Sequence, residues 1–248
     1  MDSFTYLLLD LAVLSIPLAC SFHRRYPFYR EWGPWVAGML AMLLLFIPWD
    51  VAFTLQGVWG FNERYLTGWT LWHLPIEEWL FFVCIPYACI FTLYALRVLG
   101  CFPARVFRLS PLFIAAGVLL IGLGLWYHER AYTFLTFLLC GLFLVLHPLF
   151  PARRNQEFLF AFLLLLVPFA LSNGLLTGLF TPEPVVWYND GENLGIRLGT
   201  IPLEDVFYAY LMLGIHRVVF DRLSRPRFPA PNLPTPKHHR PQSTVGAP

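Results

Sequence analysis

Lysine is all but missing from this chain: the single copy is Lys237, close to the C-terminus. A retinal photoreceptor needs a buried lysine for its Schiff base, so that reading is discounted although the apolar segments would suit it. Charge of any kind is scarce, at 13% of residues, and a formal net charge of +2 gives no basis for nucleic-acid binding. The five cysteines (Cys20, Cys84, Cys89, Cys101 and Cys140) lie scattered, mostly in apolar stretches. No Cys-x-x-Cys or Cys/His spacing links them, which predicts neither disulfides nor a metal centre. A Gly-x-Gly-x-x-Gly dinucleotide fingerprint is also absent.

What is there is hydrocarbon. Apolar residues make up 58% of the 248, and the mean hydropathy is +0.60. A soluble domain of this size cannot hide so much apolar surface, whereas a multi-span membrane protein uses lipid as its solvent. Seven runs are long enough to span or nearly so: about 4–22, 34–55, 75–97, 110–127, 131–150, 157–178 and 201–220. The first carries Asp10 and Pro17 with no basic region before it, and reads as a spanning helix rather than a signal peptide. The last is the weakest, with Glu204 and Asp205 at its start and His216 and Arg217 near its end.

Arginines collect in alternate loops: Arg24, Arg25 and Arg30; Arg105 and Arg108; Arg153 and Arg154; then Arg222, Arg225 and Arg227. The positive-inside rule therefore predicts an outer N-terminus and a cytoplasmic C-terminus in the cell membrane. From about residue 224 the chain is Pro-rich and polar, which predicts a disordered cytoplasmic tail over 224–248.

Two segments repeat one order of features. Trp49-Asp50 leads through Val58-Trp59-Gly60-Phe61-Asn62 and Gly68 to Pro75-Ile76-Glu77-Glu78. Ser172-Asn173 leads through Val186-Trp187-Tyr188-Asn189 and Gly195 to Pro202-Leu203-Glu204-Asp205. Asn62 and Asn189 each precede their proline by thirteen residues. The expected fold is all-α and membrane-integral. A first repeat over 1–100 holds helices one to three, a linking helix lies within 101–130, and a second repeat over 131–223 holds helices five to seven. An odd linking helix makes the repeats parallel, and such repeats pack about an axis along the membrane normal with a site between them.

Both acidic pairs then fall on the non-cytoplasmic side. Proline suits the first turn of a helix, and acids there meet the positive end of its dipole, so simple capping is one account of Glu77, Glu78, Glu204 and Asp205. Adjacent acids point about 100° apart, so one member of each pair can face a cavity while the other faces a neighbour. Opposed environments on nearby carboxyls can leave one as an acid and another as a base. The surrounding rings, among them Trp59, Phe61, Phe81, Phe82, Trp187 and Tyr208, could hold a cation, though membrane-interface belts are also aromatic. Asp50, at the end of an apolar run, needs a partner such as Arg64 or Asn62. It reads equally as a further acid or base or as a loop-orienting group. Asn62 and Asn189 read as loop-holding groups or as groups that orient a carboxyl. His73 has no counterpart at Thr200 and reads as incidental.

These residues resemble the small membrane lycopene cyclase domain family, with both subunit-like halves in one polypeptide, over about 1–220. The resemblance rests on Asp50, Gly57-Val58-Trp59-Gly60-Phe61-Asn62, Gly68, Pro75-Ile76-Glu77-Glu78 with Phe81-Phe82, Trp187, Asn189 and Pro202-Leu203-Glu204-Asp205. It implies a lycopene β-cyclase, an isomerase-type enzyme without cofactor or metal. Glu77, Glu78, Glu204, Asp205 and Asp50 would be catalytic. Trp59, Phe61, Asn62, Phe81, Phe82, Trp187, Asn189 and Tyr208 would be substrate-binding. The implied partners are lycopene or a related carotenoid and membrane lipid, with other carotenoid-pathway enzymes or a second copy of the chain as candidates. The second half departs from the pattern: Glu-Asp replaces Glu-Glu, Asp50 has no clear equivalent, and Leu179–Pro184 forms a longer insert. A proton-coupled transporter with parallel repeats, or another carotenoid-modifying enzyme, is the alternative reading.

Overall fold

A computed structural model describes residues 2–224; the Pro-rich tail lies outside the described residues. Seven α-helices form the described chain: α1 (Thr5–Cys20), α2 (Trp32–Gln56), α3 (Ile76–Leu99), α4 (Ser110–Trp126), α5 (Ala131–Val145), α6 (Ala152–Leu176) and α7 (Leu203–Leu223). Five helical segments are long and apolar enough to cross a bilayer: Asp2–Cys20, Phe28–Gln56, Ile76–Leu99, Ala131–Leu149 and Ala152–Leu176. The protein is thus an all-α, multi-span membrane protein. Apolar α4 is shorter. Helix α7 has 21 residues, but Glu204, Asp205, Arg217, Asp221 and Arg222 break its hydrocarbon character. Its charges are tolerated because α7 lies inside the bundle, with Glu204, Asp205 and Arg217 almost wholly covered.

The two repeats are visible in the packing. Helix α1 packs on α3 as α5 packs on α7; α2 lies along α7, and α6 on α3. Helix α4 packs closely on α5, where Gly117 and Gly141 leave no room for a side chain between the backbones.

The all-α expectation includes no strands, yet the loops after α2 and α6 form three short antiparallel pairs. Strand β1 (Trp59–Phe61) pairs with β4 (Val186–Tyr188), β2 (Thr70–Leu71) with β3 (Leu74–Pro75), and β5 (Arg197–Leu198) with β6 (Ile201–Pro202). The β1–β4 register sets Gly60 opposite Trp187, so equivalent positions of the two repeats meet at the centre of the pair. The flanking bonds are mates as well. The Asn62 N–H donates to the Val185 carbonyl at 2.8 Å, and the Asn189 N–H to the Val58 carbonyl at 2.9 Å. This strand pair joins the loops of both repeats at one end of the bundle. It brings the two acidic helix starts to the same end. The β2–β3 hairpin turns through Trp72 (φ 51°) and His73 (φ 66°), while the other turns through Gly199 (φ 68°). Left-handed backbone is easy for glycine and unusual for tryptophan.

The opposite end is tied by ions. Arg97 on α3 donates to Glu157 on α6 at 2.9 Å and to Asp221 on α7 at 2.5 Å. Arg217 reaches Asn155 at 3.1 Å. These buried arginines, on α3 and α7, are held by carboxylates and an amide from α6 and α7, which fixes α3, α6 and α7 relative to one another.

Candidate active site

Each acidic helix start follows a proline in a strand: Pro75 ends β3 and Pro202 ends β6, with the helices beginning one residue later. The hairpins fold back over these starts. The Ile76 N–H donates to the Trp69 carbonyl and the Leu203 N–H to the Ile196 carbonyl, both at 2.9 Å.

The first acid of each pair holds its own loop. Glu77 Oε1 accepts from the Thr67 N–H at 2.7 Å, and Glu204 Oε1 from the Leu194 N–H at 2.8 Å and the Thr133 hydroxyl at 2.6 Å. Both side chains are fully buried and neither lines the cavity described below.

The second acid of each pair faces that cavity. Glu78 Oε2 accepts from the Tyr6 hydroxyl at 2.6 Å, and Asp205 Oδ1 from the Tyr132 hydroxyl at 2.5 Å. Beyond this shared tyrosine the halves differ. Asp205 Oδ2 takes two further donors, Asn173 Nδ2 at 2.7 Å and the Tyr188 hydroxyl at 3.1 Å. Burial and the facing Asp205 push the Tyr188 phenol well above its ordinary range, so it keeps its proton and donates. Glu78 instead shares its end of the cavity with a second carboxyl, Asp50. Asp50 Oδ1 accepts from Trp59 Nε1 at 2.7 Å and more weakly from the Thr54 hydroxyl at 3.4 Å, while its Oδ2 has no donor. Arg64 and Asn62, considered from sequence as partners for Asp50, are engaged elsewhere. Arg64 binds Asp2 at 2.8 Å, and Asn62 caps its own loop and reaches Glu183. Both stand on the exposed side of the strand pair, whereas Asp50 turns inward against the Trp59 indole.

The cavity has a volume of roughly 370 Å³ and runs between the repeats. Asp50, Glu78 and Asp205 line its acidic end with Tyr6, Tyr132 and Asn173. The rings form a continuous set: Trp59 lies 5.1 Å from Tyr132, 6.1 Å from Tyr188 and 6.2 Å from Tyr208, edge to face in each case. Carboxyls and ring faces together suit a substrate that becomes cationic.

Of the residues named from sequence, Trp59, Phe61, Phe81 and Tyr208 line this space along with the three acids. Phe82 is in the core against Phe46, Trp187 covers Gly60 from outside, and neither lines the cavity. Asn62 and Asn189 each accept from the amide two residues on, at 3.1 and 3.0 Å, in matching turns. Tyr6 and Tyr132 were missed, because single tyrosines near helix ends look like interface belts; Tyr188 was noted only as part of the repeated motif. Asp10 was noted only as a blemish in an apolar run. It is fully buried near Glu77, with no hydrogen-bond donor to either oxygen.

The fold and site define a membrane protein of paired helical repeats with an acid- and aromatic-lined cavity between them. A family model described as lycopene cyclase matches residues 3–96 and 129–223, one segment for each repeat. The chain belongs to the lycopene cyclase family. Searches of curated proteins and of solved structures returned no match.

Proposed function

We propose that the protein is a lycopene β-cyclase, an isomerase that closes the acyclic ends of lycopene into β-rings by acid–base chemistry. The observation that carries this reading is the asymmetric trio on one cavity: Glu78 against Asp50, and Asp205 among three donors. Two carboxyls at one end of an apolar pocket favour the neutral form of one of them, since burial and a like charge both oppose ionisation. Glu78 is then the acid, and Asp50 the acceptor that orients its proton. Three donors favour the ionised form of Asp205 relative to Glu78, so Asp205 is the base.

The steps balance. The Glu78 proton adds to the terminal double bond, giving a tertiary cation. The nearby double bond attacks, closing a six-membered ring and moving the cation into it. Asp205 removes a ring proton, restoring a double bond, and which proton it takes sets the ring type. One proton enters and one leaves, with no electron transfer, so the reaction itself calls for no cofactor. The Trp59, Tyr208 and Tyr188 rings stabilise the charge in passing. Glu77 and Glu204 keep the loops over the site.

In this reading the acidic end faces the non-cytoplasmic side, and the functional unit is the pair of repeats, 1–100 and 131–223, joined through 101–130. The test is pigment analysis of lycopene-accumulating bacterial cells expressing the chain. Conversion to γ-carotene or β-carotene is expected; unchanged lycopene, with the protein verified in the membrane, would refute the proposal.

A further inference from the structure

The cavity does not stop at the acids. It continues along the helices to Pro17 on α1, Thr92 on α3 and Phe162 on α6. Thr92 lies fourteen residues from Glu78, and Pro17 lies eleven from Tyr6, so the slot is about 16–21 Å long at 1.5 Å per residue. Its walls away from the acids are hydrocarbon. The inner wall is buried, with Ala88, Phe162 and Met212 covered by the bundle. The outer rim is not: Ala12 and Ile16 on α1 and Pro168 on α6 line the same cavity and are exposed on the lipid-facing surface. Helix α1 packs on α3, and α6 packs on α3 and α7, so α1 and α6 flank the slot from opposite sides. The cavity therefore reaches the lipid-facing surface between these two helices.

Although the repeats are paired, they do not make two equivalent centres. Asp50 and Asn173 stand at corresponding places, one an acid beside Glu78 and the other an amide donating to Asp205. Glu78 and Asp205 thus complete one centre between them. An extended forty-carbon polyene is about as long as the hydrocarbon core is thick, roughly 30 Å. The slot takes one end group and part of the polyene, and the remainder must lie in lipid.

We infer that the carotenoid enters sideways from the bilayer between α1 and α6, acyclic end first, and that the single centre cyclises one end per binding event. The monocyclic product then leaves, turns end for end in the membrane and binds again. This rests on the cyclase reading above.

The test uses the full chain in liposomes containing isotope-labelled lycopene, with excess unlabelled γ-carotene added once turnover has begun. Release between rings predicts that labelled γ-carotene accumulates and that labelled β-carotene formation falls as the unlabelled pool competes. Undiminished labelled β-carotene, with no free labelled intermediate, would overturn one end per binding event. So would failure to use added γ-carotene while lycopene is still converted to β-carotene. No cyclised product at all refutes the cyclase reading itself and is a distinct outcome. Sideways entry is tested by Ala12→Trp on the rim. Its kcat/KM on lycopene is expected to drop about tenfold further than on a truncated acyclic polyene short enough to fit inside the slot. Equal effects on the two substrates, or none on lycopene, would overturn the entry route. Retained turnover of the short substrate shows that the variant is folded.

Discussion

Gly60 faces Trp187 across the only contact between strands of different repeats among the described residues, and the Trp187 indole lies directly where a Gly60 side chain would be. A Cβ on Gly60 would overlap the ring, with Cε2 2.6 Å away. Since this pair joins the loops that cover both acidic helices, Gly60→Ala is expected to destabilise the protein by ~1–3 kcal/mol, as overpacking does. Removing the ring in Gly60→Ala/Trp187→Ala should restore much of the loss. Thermal unfolding in detergent checks both, and additive losses in the double variant would show that the two residues do not meet.

The roles of the two cavity acids separate by isotope exchange as well as by rate. Glu78→Gln and Asp205→Asn are each expected to lower cyclisation by about 10²–10⁴-fold, the usual range for a general acid or base. In deuterated water, Asp205→Asn should return lycopene labelled at the vinylic CH of its terminal double bond, the carbon that takes the proton, because protonation still occurs and reverses. Glu78→Gln should return it unlabelled. The opposite pattern would exchange the assignments.

Much of this site was legible in the sequence, and the limit of that reading is physical. The doubled Pro-x-acid-acid signature, the thirteen-residue spacing and the helix parity located the acids, the repeat and the shared end. Which acid of each pair faces inward was not legible, since the 100° step between neighbours fixes their divergence and not its direction. That direction depends on the loop amides of Thr67 and Leu194 folding back onto Glu77 and Glu204. Tyr6 and Tyr132 come from distant helices, and no local pattern marks them. Asn173 was recognised only as a near-equivalent of Asp50. The Leu179–Pro184 insert blurs the alignment by about one helical turn.

The Asp50–Asn173 difference makes its own prediction. Asp50→Asn would give Glu78 an amide neighbour like that of Asp205, and in the proposed reading it replaces the carboxylate that orients the acidic proton by a neutral amide. Activity should fall by about 10–100-fold, less than in Glu78→Gln, because the acid itself survives. The pH–rate profile should also shift, which loss of packing alone would not produce. A profile identical to that of the unaltered protein, with only the amount of folded protein reduced, would make Asp50 a structural residue.

Glu77 and Glu204 provide the contrasting case. Each holds a loop amide through a charge-assisted bond, and Glu204 holds a threonine as well. Glu77→Gln and Glu204→Gln are expected to cost about 1–3 kcal/mol of stability, the range for hydrogen bonds to charged groups. The protein that remains folded should keep most of its turnover. Thermal unfolding and specific activity per folded molecule should therefore move apart, stability falling in these two variants and rate falling in Glu78→Gln and Asp205→Asn. A Glu77→Gln protein with unchanged stability and no turnover would place Glu77 in the chemistry, and the loops over the site would then need another anchor.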